Sequence, residues 1–125
     1  EVLKNFASSN IILIGGELRQ NTQALVGDIA NNTLKMFKAD KAFIATNAFD
    51  INTGISTPNM AEAATKKQMI NSAKQCFLLA DSTKFGATSL VQVANVKDIH
   101  VIITNNDLQQ KHIQEKSLWK YLVLM

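Results

Sequence analysis

Cys76-Phe77-Leu78-Leu79-Ala80-Asp81-Ser82-Thr83-Lys84-Phe85-Gly86 joins a five-residue apolar run to a segment carrying a carboxylate, two hydroxyls and an ammonium. An apolar run this short, flanked by polar turn formers, reads as a central strand of a parallel sheet rather than as a helix. The polar group then lies at the strand's carboxyl end, where open α/β sheets bind their ligands. Three more stretches repeat the pattern. Ile11-Ile12-Leu13-Ile14 runs into Gly15-Gly16-Glu17-Leu18-Arg19, Ala42-Phe43-Ile44-Ala45 into Thr46-Asn47 and on to Asp50, and Val101-Ile102-Ile103 into Thr104-Asn105-Asn106-Asp107. Four such strands, each ending in a polar cluster, predict an α/β fold with a largely parallel open sheet and flanking helices.

The 125 residues form one domain at most, long enough to bury a core. With 46% apolar and 18% charged residues the composition is that of an ordinary globular domain, and no apolar run approaches a membrane span, so no membrane partner is expected. Cys76, the single cysteine, lies inside an apolar strand with no partner for a disulfide, which suits a reducing cytoplasm. The net charge is +3, but the basic residues are scattered and only Arg19 is an arginine. A surface that reads DNA clusters its charge and favours arginine, so direct operator contact by this segment is not expected. The opening Glu1-Val2-Leu3-Lys4-Asn5 has neither a start methionine nor a signal peptide, and reads as that of a fragment or processed product.

Between the strands, Val26, Ile29, Ala30, Thr33, Leu34 and Phe37 recur at helical spacing and predict a helix from about Leu25 to Lys38. A strand Lys41–Thr46 follows, then a long loop through Asp50, Asn52, Thr53 and Gly54. Thr57-Pro58-Asn59 signals a helix start, with Thr57 or Asn59 as cap and Glu62 three residues after Asn59, and the helix is expected to reach about Lys74. This order implies right-handed crossovers. Ser89–Val93 alternates like a short edge strand, His100–Thr104 reads as another strand, and a helix is expected near Asp107–Glu115. The segment from Ser117 to Met125 reads equally as helix or strand, with Trp119, Leu122 and Leu124 as its packing residues.

Glu62 and Lys66, four apart on the second helix, continue a stripe with Met69, Ile70 and Ala73. They are either an exposed ion pair or part of a crevice with Asn47, Asp50 and Asp81. Lys84 suits a phosphate or carboxylate, and Asp81 suits sugar hydroxyls, through charged hydrogen bonds. Gly15-Gly16 lacks the third glycine of a dinucleotide fingerprint. His100 and His112 have no further ligand at metal-binding spacing, so neither metal nor other cofactor is expected.

Ile12-Leu13-Ile14-Gly15-Gly16-Glu17-Leu18-Arg19, Leu25-Val26-Gly27, Asp40-Lys41-Ala42-Phe43-Ile44, Thr57-Pro58-Asn59 and Leu79-Ala80-Asp81-Ser82-Thr83-Lys84-Phe85-Gly86, in this order and spacing, resemble the carboxy-terminal effector domain of DeoR-type bacterial transcriptional repressors. The resemblance runs from about Ile11 to Asn105. It implies a fold similar to that of sugar-phosphate isomerases and deaminases, a phosphorylated sugar as effector, and operator DNA bound only by a separate amino-terminal winged helix-turn-helix in a homo-oligomer. It also implies that residues 1–125 are a partial effector-binding domain, without the winged helix, the first strand and the Asp-x-Gly-Thr-Thr phosphate loop. The ligand-binding residues carried over are Arg19, Asn47, Asp50, Glu62, Lys66, Asp81 and Lys84, with Ala48-Phe49 before Asp50 and Thr83 in the last motif as departures. In the related isomerases the residue before the lysine resembling Lys66 is a glutamate base. Thr65 stands there in this chain and cannot act as a base near neutrality, so the resemblance implies a sensor and no catalysis, the alternative being an isomerase-like enzyme.

Overall fold

The computed structural model describes residues 9–107 and 122–125. A parallel sheet forms its centre, with strands β3 (Ala39–Ala45), β6 (Ala73–Leu79), β8 (Val101–Thr104) and β9 (Leu122–Leu124) in that spatial order. Three of the four sequence runs thus end in this sheet as expected. The fourth does not. Residues 11–14 form no strand, and Leu13 is 79% exposed. Apolar side chains alone do not make a strand without a neighbouring backbone to pair with, and here the fourth place is taken by Leu122–Leu124, within the ambiguous carboxyl-terminal segment. The helix expected near Asp107–Glu115, and with it His112 and Trp119, falls outside the described residues.

After Gly15-Gly16 the chain makes a small hairpin from β1 (Glu17–Arg19) and β2 (Ala24–Val26), with Arg19 opposite Ala24. Gly16 has φ +101°, and a Cβ there would stand 2.5 Å from the Val26 carbonyl oxygen. The Gly-Gly pair thus serves a close backbone approach between the hairpin and the helix behind it. Because residues 24–26 are committed to the hairpin, helix α1 is shorter than its periodicity predicts and spans Asp28–Lys35. It opens after Gly27 (φ +93°), and the amides of Met36 and Phe37 turn back to Thr33 and Leu34, tightening its last turn.

The expected loop after β3 is a second hairpin, β4 (Ala48–Asp50) with β5 (Gly54–Thr57), extended by β7 (Val91–Ala94) into a three-stranded antiparallel sheet. Asp50 makes the turn: its Oδ1 accepts from the amides of Asn52 and Thr53. Asn59 is the cap of helix α2 (Met60–Asn71), its side chain accepting from the Glu62 amide. The helix stops short of Lys74 because Ala73 already pairs with Ala39, and the Ala39 amide bonds the Ser72 carbonyl at 2.8 Å.

The core fills the space between the two sheets and α2. Ile44, Leu78 and Ile102 from neighbouring parallel strands pack with Phe49, Ile55 and Ala63. Burial of this kind stabilises by about 1.5–3 kcal/mol per large side chain. Cys76 belongs to it, and burial pushes its thiol up to about 11. Such a group is a small hydrophobe and not a nucleophile.

Candidate functional site

The parallel order of β3, β6 and β8 brings their carboxyl ends to one edge, where the chain places Asn47, Asp81 and Asn105. Hydrogen bonds join these strand ends. The Ser82 amide donates to Asn105 Oδ1 at 2.7 Å, and the Ala80 amide to the Ile103 carbonyl at 3.1 Å. Gly86 donates to the Phe49 carbonyl at 2.8 Å while the Phe49 and Phe85 rings pack at a tilt with centroids 5.0 Å apart, so the Asp81–Gly86 loop is held against β4. Thr57 donates to Asn47 Oδ1 at 3.0 Å, tying the first strand end to the residue two places before the α2 cap.

Asp81 is exposed and caps the short 3-10 turn Ser82–Lys84: its side chain accepts from the amide and the hydroxyl of Thr83. Those bonds, with Lys84 nearby, hold its carboxyl below the usual value. It is therefore a carboxylate throughout the neutral range, with one oxygen used by the turn. A shallow crevice of about 370 Å³ between Leu79–Asp81 and Ile103–Asn105 opens beside it. Asn105, which the sequence reading quoted but did not select, belongs to this edge. The signal that picked Asn47 and Asp81, a polar residue closing an apolar run, applies to it equally.

A second group lies where the β1–β2 hairpin meets α2. Glu62 is 7% exposed, forms an ion pair with Arg19 (3.3 Å) and accepts a short hydrogen bond from the Thr22 hydroxyl. Lys66, one turn on, forms no ion pair among the described residues. It lines an apolar groove of about 410 Å³ with Leu34, Met69 and Ile12. Burial lowers its pKa, which the nearby Glu62 charge partly opposes. The exposed Glu62–Lys66 pair allowed by the spacing is thus replaced by a buried pair with Arg19. Thr22 has no sequence signal, since its partner is forty residues away.

The seven sequence-selected residues accordingly fall into separate places. Arg19, Glu62 and Lys66 gather at the hairpin and α2. Asn47, Asp81 and Lys84 belong to the carboxyl edge of the parallel sheet, and Asp50 turns the β4–β5 hairpin. Thr65, which the resemblance aligns with the isomerase base, is buried and donates to Asn31 at 2.7 Å, so its hydroxyl links α2 to α1. Among the described residues no group of histidine, cysteine, aspartate or glutamate side chains could hold a metal ion, and no helix is long and apolar enough to cross a membrane.

The sequence profile of the DeoR C terminal sensor domain matches residues 1–106. The chain is 37% identical over 111 residues to the HTH-type transcriptional regulator GlpR of Haloferax volcanii, covering 89% of this chain and 44% of that protein. It is 34% identical over 116 residues to the lactose phosphotransferase system repressor of Lactococcus lactis, covering 93% and 45%. With the HTH-type regulator FruR of Bacillus subtilis the identity is 33% over 109 residues, covering 86% and 43%. The chain thus spans less than half the length of these relatives.

Proposed function

This chain belongs to the DeoR C terminal sensor domain family, and from that premise we propose that it senses a phosphorylated sugar on behalf of a transcriptional repressor. The observation that carries the reading is the knitted carboxyl edge: Asn47, Asp81 and Asn105 follow three adjacent parallel strands, Asn105 accepts from the Ser82 amide of the loop that carries Lys84, and Asn47 accepts from Thr57, two residues before the α2 cap. Carboxylate and amide oxygens accept from sugar hydroxyls, while an ammonium and a helix amino end attract phosphate. Arg19, Glu62 and Lys66 gather apart from this edge, where the hairpin meets α2, and Asp50 shapes the β4–β5 turn. The names of the relatives, a lactose phosphotransferase system repressor among them, support a sugar-derived effector.

The parent protein, on this reading, is a cytoplasmic homo-oligomer that binds operator DNA through a helix-turn-helix outside this chain. It is not an enzyme. Thr65, which the resemblance aligns with the isomerase base, spends its hydroxyl on Asn31 and cannot act as a base near neutrality. The experiment is a mobility-shift titration of the full-length repressor with ribose, glucose, fructose and glucosamine phosphates. Wild type should change its operator affinity with one of them, and Lys84→Ala should lose that response with operator binding intact. Loss of operator binding itself in Lys84→Ala, or turnover of any of these phosphates that disappears in Glu62→Gln, would overturn the proposal.

A further inference from the structure

At the open end of the turn Ser82–Lys84 the first backbone amides have no carbonyl partner within the turn, and side chains take their place. Asp81 accepts from the Thr83 amide at 2.9 Å. That bond is internal to the segment, as are those from the Lys84 amide to the Asp81 carbonyl and from the Phe85 amide to the Ser82 carbonyl. The Ser82 amide is different, because it donates at 2.7 Å to Oδ1 of Asn105, the residue that follows β8. Through it the turn that carries Asp81 and Lys84 is tied to another element.

Asn105 is held on its other side as well. Its Nδ2 donates to Asp107 Oδ2 at 3.0 Å, and the Thr104 hydroxyl lies 3.5 Å from its Oδ1. The side-chain amide therefore has a fixed sense: turned over, it would set its NH2 against the Ser82 amide and its oxygen against the Asp107 carboxylate. Aspartate at this position would keep the acceptor for Ser82 but face Asp107 with a like charge, and alanine would make neither bond. An acceptor toward one neighbour and a donor toward the other is what asparagine supplies. Asn105 also lines the crevice of about 370 Å³ beside Asp81.

We propose that Asn105 is a positioning residue of the effector site: braced by Asp107, it holds the Ser82 amide and so sets where the turn presents Asp81 and Lys84. The proposal rests on the sugar-phosphate reading of this edge. When the brace is removed the turn keeps its internal bonds, and the Ala80 amide keeps the Ile103 carbonyl, so the strands stay paired. What is lost is the placement of the recognition groups, and with it effector affinity.

The full-length protein tests this with two readouts. Without any sugar phosphate, hydrogen exchange of the 80–86 peptide should quicken about ten-fold at one amide in Asn105→Ala, the order that loss of one hydrogen bond produces. It should return to the wild-type rate when Asn105→Asp is combined with Asp107→Asn, which reverses donor and acceptor. In mobility-shift titrations with ribose, glucose, fructose and glucosamine phosphates, the half-maximal concentration of the active phosphate should rise about ten-fold in Asn105→Ala and return to within about two-fold of wild type in the combined variant. Operator affinity without sugar phosphate should be the same in all three proteins. Unchanged exchange in Asn105→Ala, or a combined variant as weak as Asn105→Ala, would overturn the proposal. A wild type that answers none of the phosphates while the exchange pattern holds would overturn the effector reading instead and uphold the brace.

Discussion

Glu62 and Asp81 are both carboxylates at the start of a helical turn, yet the fold uses them in opposite ways. Glu62 is buried and joins Arg19 and Thr22 of the hairpin to α2 across about forty residues of sequence. Asp81 is exposed, and its side chain accepts from Thr83, two residues along. One carboxylate holds elements together; the other shapes its own turn and keeps an oxygen for solvent or ligand. A buried charge with fixed partners is costly to orphan, whereas an exposed one is screened by water. The contrast separates a structural clamp from the edge proposed for recognition, and it can be broken experimentally.

The largest effect should come from Glu62→Ala. It leaves the half-buried Arg19 guanidinium and the exposed Thr22 hydroxyl without their acceptor, and the expected loss is about 2 kcal/mol. Urea unfolding of the chain measures it. A midpoint unchanged from wild type would mean that the hairpin is not clamped through this carboxylate.

Next in size is the coupling between the two charges. In a double-mutant cycle of Arg19→Ala and Glu62→Ala the single changes should not add, with a coupling of about 1–2 kcal/mol because the guanidinium keeps some contact with water. Additive losses would show that each residue acts through other neighbours.

The same contrast explains what the sequence disclosed. The Asp81 turn, the Asn59 cap and the three strand runs of the parallel sheet are local, and a local pattern is written in consecutive residues. Residues 11–14 misled because an apolar run records a wish for burial and not the partner that grants it. Leu25–Val26 fitted the helical period of α1 but were drawn into the β1–β2 hairpin, where pairing with Glu17 and Leu18 outweighs periodicity. The loop expected around Asp50 folded as a hairpin because Gly54 (φ +79°) lets the chain turn against the Ala94 backbone, a long-range contact with no mark nearby in sequence. Arg19, Glu62 and Lys66 could be named from the family resemblance; that Arg19 and Thr22 would occupy Glu62, and leave Lys66 without an ion pair among the described residues, depended on tertiary packing.

A smaller effect is expected at Lys66. Burial lowers its pKa in the folded state below the 10.5 of the free group, so in the alkaline range between the two values the unfolded chain binds more protons. Stability should therefore gain with pH through that range from this group, and Lys66→Met should remove the gain. Cys76, raised from 9.0 to about 11, tilts the curve the other way, since its contribution is present below pH 9 and is lost as pH rises. That slope is common to both proteins and cancels in their difference. Identical pH profiles for Lys66→Met and wild type would place the ammonium in open water.

The smallest effect on stability should be that of Asp81→Asn, and it is the most diagnostic. An amide oxygen can still accept from the Thr83 amide, so the turn persists and the urea midpoint should stay close to wild type. What changes is charge. Because its hydrogen bonds with Thr83 lower the Asp81 pKa in the folded state, this group adds stability above the unfolded value of 3.8 and loses it as pH falls through the lower folded value. The variant should thus be slightly less stable than wild type at neutral pH and match it in acid, while the response of the full-length protein to the proposed sugar-phosphate effector is lost at neutral pH. A large stability loss at neutral pH would make Asp81 a clamp like Glu62. An unchanged effector response would remove it from the recognition edge and leave the turn as its whole purpose.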